Sequence, residues 1–167
     1  MTTEGRATVI GPADGESVSI GGMGCRFMLG GETTGDRAAL VEHPLAPRAL
    51  AAPLHRHSRE DEYSYVLEGR MGAQLGDEVL VAEAGDFVFK PRDQWHTFWN
   101  AGDEPARILE LISPAGFERY FREVAELIGA SGRDLDALGR LAASYGLELY
   151  PESIPGLVER HGLTFGP

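Results

Sequence analysis

At 167 residues, with 43% hydrophobic and 25% charged side chains, the chain is long enough to bury a sizeable core and has the size and composition of one globular domain. Its net charge of -11, with Lys90 the sole lysine and fourteen scattered arginines, excludes a nucleic-acid footprint, which needs clustered positive charge. No apolar run approaches the roughly 18 residues of a membrane span, the lone Cys25 precludes an intrachain disulfide, and MTTEGRATVIGPADG lacks the basic-then-apolar order of a secretory leader, so a cytoplasmic location is expected.

Residues 1–16 are polar and rich in Gly and Pro and read as an N-terminal arm. Short strand patterns follow at 17–20 and 26–29, separated by Gly21, Gly22 and Gly24, and a third at 38–43, ended by Pro44 and Pro47. Further candidates lie at 53–57, 63–67, 71–75, 79–82, 87–90, 95–100 and 107–112. Turn signals every eight to twelve residues predict an all-β sandwich or barrel over 17–112 rather than alternating βαβ units.

After Ser113-Pro114 the periodicity changes to that of a helix. Phe117, Tyr120, Phe121, Val124, Leu127 and Ile128 form an apolar stripe, with Gly129 as its stop. Leu135, Leu138, Ala142 and Tyr145 form a second stripe, ended by Gly146, and one more turn is expected near 154–161. This helical extension, 113–167, is expected to pack on the barrel. It would lie against the outer wall or form a lid over the mouth.

The stretch HRHSREDEYSYVLEG, beginning at His55, carries the chemistry. Residues two apart in a strand share a face, so His55 and His57 aim two imidazoles at one place. A hairpin returning at Glu62 sets a carboxylate opposite them, and His96, on the strand 95–100, supplies a third imidazole. Glu60 and Asp61 compete for the carboxylate role but read as solvated turn residues. His43 and His161 read as surface or half-buried histidines. Phe98 and Asn100 share the His96 face and are candidates for a substrate pocket, though Asn100 reads rather as a turn group or one that supports the ligands. Trp95, Trp99, Phe87 and Phe89 are expected in the core.

Those residues resemble the two conserved motifs of the cupin superfamily. His55-x-His57, Glu62 and Gly69 match the first motif, and Gly85, Pro91, His96 and Asn100 match the second. The resemblance covers about residues 50–112 and departs at two turn positions, where Ala49 and Asp93 stand in place of glycine. It implies a double-stranded β-helix, or jelly-roll barrel, and one divalent transition metal held by His55, His57, Glu62 and His96. That N3O donor set suits Fe, Mn, Ni, Co, Cu or Zn without choosing among them. Within the superfamily the chain is similar to small proteins like quercetin 2,3-dioxygenase. This similarity implies a homodimer that oxidises a small enol or flavonol-like substrate, with Glu62 available as a catalytic base. A non-catalytic ligand-binding or sensor protein and a metal-dependent isomerase or lyase are the other expectations the same residues allow.

Overall fold

The computed structural model describes residues 7–132 and 134–166. The expected arm falls outside the described residues as far as position 6 and is irregular from 7 to 16. Six strands form one sheet: in spatial order they are β1 (Ser17–Ile20), β2 (Met23–Leu29), β3 (Ala39–Leu45), β10 (Ala106–Ser113), β5 (Asp61–Glu68) and β8 (Phe87–Lys90). Five form the other: β11 (Leu147–Tyr150), β4 (Leu54–His57), β9 (His96–Asn100), β6 (Arg70–Leu75) and β7 (Glu78–Glu83). Every neighbouring pair is antiparallel. The two sheets make the all-β architecture that the strand pattern predicts, in the jelly-roll form that the family resemblance implies, with helices following it.

Strand alternation decides what lies between the sheets. On β5, Glu62, Ser64 and Val66 point inward, and on β10 Ile108, Glu110 and Ile112 do so, all of them buried. On β9 both faces are covered: His96, Phe98 and Asn100 face the interior, while Trp99 packs beneath the C-terminal segment with Leu50, Leu157 and Leu163. Gly72 on β6 makes room for that indole, since a Cβ there would sit 2.1 Å from Trp99 Nε1. At the β5–β6 turn Gly69 takes φ 75°, and its missing side chain lets Ala106 approach.

Several boundaries differ from the sequence pattern. β3 runs through Pro44 to Leu45, and Pro44 sits against Gly24 of β2, which leaves space for the ring. Ser113 ends β10, so the first long helix, α2 (Glu118–Ser131), begins later than the Ser-Pro pair and runs past Gly129 to a cap at Gly132. A single-turn helix, α1 (Gly31–Thr34), occupies the earlier turn cluster. Helix α3 (Leu135–Ser144) has Asp134 as its N-cap, accepting from Ala137 N at 3.0 Å, and α4 (Ile154–His161) ends at Gly162 in the left-handed conformation. The strand patterns did not reveal β11. It pairs with β4, His57 opposite Leu147 and His55 opposite Leu149, so the extension completes the sheet that carries the histidines.

The aromatic side chains of β8 also contradict the sequence reading. Phe87 and Phe89 are 60% and 48% exposed, whereas Val88 and Lys90 point inward. The strand turns its charged residue in because Glu62 and Glu110 wait there, as the site geometry shows. None of the described helices is long and apolar enough to cross a membrane.

Candidate metal centre

His55 and His57 project from β4, Glu62 from β5 and His96 from β9, and all four are buried. One donor atom from each lies within 4.8 Å of the others, close enough for one divalent ion to be held among them. His55 and His96 are opposite each other in the β4–β9 ladder, with ring centroids 4.4 Å apart. The structure therefore brings together the four residues that the motifs single out.

Backbone carbonyls fix two of the imidazoles. His55 Nδ1 donates to Pro53 O at 2.8 Å and His96 Nδ1 to Gln94 O at 3.0 Å. A carbonyl only accepts, so in the neutral rings the proton sits on Nδ1 and the Nε2 lone pair is left for the centre. Burial, reinforced by the neighbouring imidazoles, holds His55 well below the usual histidine range, and burial likewise lowers His96. Both are thus kept in the form that ligates. His57 gives the clearest sign of a missing partner: its two ring nitrogens are buried without a hydrogen bond among the described residues. Its Nε2 lies 3.4 Å from Glu62 Oε1 and its Nδ1 3.7 Å from Glu60 Oε2. Leaving a buried polar atom unpaired costs about 1–3 kcal/mol, a penalty that a divalent ion at Nε2 would relieve. The residues fit a metal.

Glu60 is not the solvated turn residue expected. It is buried behind His57, where its carboxylate can orient the ring. Asp61 is half-buried and paired with Arg92, whose guanidinium and backbone N–H both reach it. The turn departure at Asp93 is accommodated by a left-handed φ of 64°, the conformation glycine would supply, and its N–H donates to His57 O at 2.7 Å. Ala49 bridges to Thr164 and leaves the ligands untouched.

The chain's only lysine stands beside the ligand carboxylate. Lys90, with a fully buried side chain, lies 3.0 Å from Glu62 Oε2 and 3.0 Å from Glu110 Oε1. Burial alone would raise the Glu62 carboxyl; the Lys90 charge, then His57 and His96, bring it well below the usual range. Burial would likewise lower the Lys90 ammonium, and Glu110 and Glu62 raise it instead. Glu110 is raised to about 7 by burial and by Glu62, against the pull of Lys90 and Ser64. The strand patterns gave no sign of this buried triad, because strand parity alone does not say which face of β8 turns in.

The centre opens into a cavity of about 450 Å³. Its floor includes His55, Glu62 and Phe98 from the barrel, and its roof comes from the extension, with Phe117, Tyr120 and Phe121 of the α2 region and Leu138 of α3 among the lining residues. Phe117 meets the His57 ring edge-on at 4.3 Å. Phe98 lines the cavity. Asn100 does not: its Nδ2 donates to Ala46 O at 3.1 Å and Glu104 O at 2.7 Å, and its Oδ1 accepts from Gly102 N. It braces two loops and has no amide proton to spare for a ligand. His43, read as a surface or half-buried residue, is buried and lines the cavity. His161 is half-buried and stacks on Trp99 at 4.5 Å, away from the centre.

Comparison with known proteins matches a cupin domain model to residues 42–112. The tetracenomycin polyketide synthase protein TcmJ of Streptomyces glaucescens is 31% identical over 123 residues, covering 68% of this chain and 82% of that protein. The chain belongs to the cupin family. This cupin is also 38% identical over 60 residues to the polyketide synthase CurC of Streptomyces cyaneus, a match covering 36% of the chain and only 39% of that relative. An RmlC-like cupin of Shewanella frigidimarina shares the fold with a TM-score of 0.55 at 22% identity, over 65% of this cupin and 93% of that chain.

The buried titratable groups set an acid response. His43, lowered to about 4 by burial, His55 and His96 are all held below 6.5, so on acidification the unfolded chain takes up protons at them first and stability falls. Glu110, raised to about 7, acts oppositely, since the folded chain protonates first there. Three groups against one leave a net loss. Metal-free protein should therefore unfold at lower urea concentration at pH 5 than at pH 7; an equal or higher midpoint at pH 5 would refute the assignment.

Proposed function

We propose that this cupin is a metal-dependent enzyme acting on a small, flat, hydroxylated organic molecule of the enol or phenol type, by dioxygenase-type oxidation. The observation that carries this reading is the cluster of His55, His57, Glu62 and His96 opening into a largely apolar cavity. A divalent transition metal held there would supply Lewis acidity toward a substrate oxygen, with coordination positions beyond the four protein ligands. His55 and His96, pinned through Nδ1, present fixed Nε2 donors. Glu62, kept ionised beside Lys90, is the group to take a proton from a substrate hydroxyl. Phe117 and the aromatic roof exclude water and accept a planar apolar body. The names of the two Streptomyces relatives, both polyketide synthase proteins, support a polyketide-like substrate.

A second reading is a non-oxidative lyase or isomerase on the same type of substrate. Glu110 favours it, because its carboxyl, raised to about 7, gives the cavity a further group able to exchange protons near neutrality. We also propose a homodimer, supported by the outward strip of Tyr65, Phe87 and Phe89 at the β8 edge of the larger sheet. Sedimentation velocity should return twice the chain mass, and a monomer at micromolar concentration would reject it.

Purified protein should carry one divalent ion per chain, and His55→Ala or His96→Ala should lose most of it. Full occupancy in either variant by elemental analysis would overturn the metal assignment. The reaction type separates on oxygen consumption. With each candidate metal loaded in turn and a panel of flavonols and other enols, the oxidative reading expects oxygen uptake with at least one pair. Product formed without uptake selects the lyase or isomerase, and tight binding with the ligand recovered unaltered selects a non-catalytic binding protein.

A further inference from the structure

The cavity contains polar groups that the metal-ligand cluster does not use. In the β3–β10 ladder His43 lies opposite Ile108 and Val41 opposite Glu110, so His43 and Glu110 are diagonal neighbours on the inner face of the larger sheet. Both are buried and both line the cavity. His43 Nδ1 donates to Gly24 O at 3.0 Å, which in the neutral ring leaves Nε2 as an acceptor. Its ring lies 6.0 Å from Phe98 and 5.2 Å from Phe121, so it stands between floor and roof.

Glu110 is held from behind. Its Oε2 accepts from Ser64 Oγ at 2.8 Å and from Lys90 Nζ at 3.1 Å. Its Oε1 is 3.0 Å from the same Nζ but off the direction a hydrogen bond needs, and it has no hydrogen-bond partner among the described residues. An apolar chamber with two buried polar side chains that the metal-ligand cluster does not use is built to pair them with something from outside.

We propose that His43 and Glu110 form a second polar anchor, which binds a hydroxyl of the ligand at a distance from the oxygen held at the metal centre. The substrate class follows: a flat, mostly apolar molecule with at least two hydroxyls set apart, one for each anchor. This deepens the functional reading above and rests on it for the first oxygen. A hydroxyl both donates and accepts, so it satisfies the acceptor His43 Nε2 and the Glu110 carboxyl in either protonation state. A methoxy group or hydrogen in its place leaves Nε2 without a donor, and sites of this kind reject such analogues for that reason.

The test uses zinc-loaded protein, which is redox-silent, so binding is read without turnover. Calorimetric titration with 2,6- and 2,7-dihydroxynaphthalene should show at least one diol binding about tenfold more tightly than 2-naphthol, the worth of one net hydrogen bond. The 6-methoxy analogue of 2-naphthol should bind no better than 2-naphthol itself. His43→Leu and His43→Phe, each verified as folded by circular dichroism and as zinc-loaded, should lose most of the preference for the diol over 2-naphthol. Should His43→Leu not fold, His43→Phe, which keeps an aromatic ring and removes the acceptor, decides alone. A diol advantage absent from the unaltered protein, or undiminished in the folded variants, overturns the second anchor. Failure of the oxidative reading shows itself elsewhere, as absent oxygen uptake, and leaves this binding result intact.

Discussion

A carboxylate buried inside a protein must be paired or be neutralised, and the interior of this barrel is arranged around that demand at Glu62. Lys90 meets it from β8, directly opposite in the β5–β8 ladder. The same ammonium then serves Glu110, which Ser64 also supports. Removing one member of such a group leaves an uncompensated buried charge, at about 3–5 kcal/mol, so the residues stand or fall together. Neutral imidazoles add no net charge to this balance, and burial favours the neutral form at His55 and His96. The centre is thereby held as a set of lone pairs facing one anion, a combination that water serves poorly and a divalent cation serves well.

The extension is not an appendage to this arrangement. Through β11 it supplies the neighbour strand of β4, which holds His55 and His57 in register, and through Phe117 it places an aromatic edge on the His57 ring. Helix α2 lies against β1, β3 and α3, and α3 lies against β11. The apolar stripes of α2 and α3 thus face a space as well as a wall. Phe117, Tyr120 and Phe121 pack on one another at centroid distances of 5.0–6.2 Å and form a rigid ceiling. The barrel supplies the reactive groups, and the extension supplies the seclusion in which they differ from the same groups in water.

Alternation made the ligands legible in the sequence. A period of two fixes which residues share a face, and the His-x-His pair with Glu62 and His96 then falls on one side of three strands. What alternation leaves open is which face turns inward. Phe87 and Phe89 favour the inside by hydrophobicity, yet Lys90 lies there because two buried carboxylates outweigh two aromatic rings. Glu60 reads as solvated from its neighbours in a charged turn, but the turn folds it behind His57. His43 gives no local sign of its role, since the residues that make its surroundings a cavity, Phe98 and Phe121, lie far along the chain. β11 was hidden for the same reason: its four residues become a strand only because β4 offers an edge. In each case a long-range partner decided, and such partners leave no trace in a local window.

The division of the cavity between an apolar roof and a narrow polar floor bears on how it selects a ligand. Apolar walls attract any flat body that fits, at about 25 cal/mol per Å² of surface removed from water, with little discrimination between one ring system and the next. Selection comes from the polar minority, because each buried donor or acceptor left unpaired is penalised more than an extra methylene is rewarded. In this cupin that minority is the metal-ligand cluster, Glu110 and His43, all on the inner faces of strands whose positions are locked by neighbouring ladders. None of them sits on a loop free to follow the shape of a different ligand. A site built this way tolerates variation in the hydrocarbon outline and is strict about where the oxygens are.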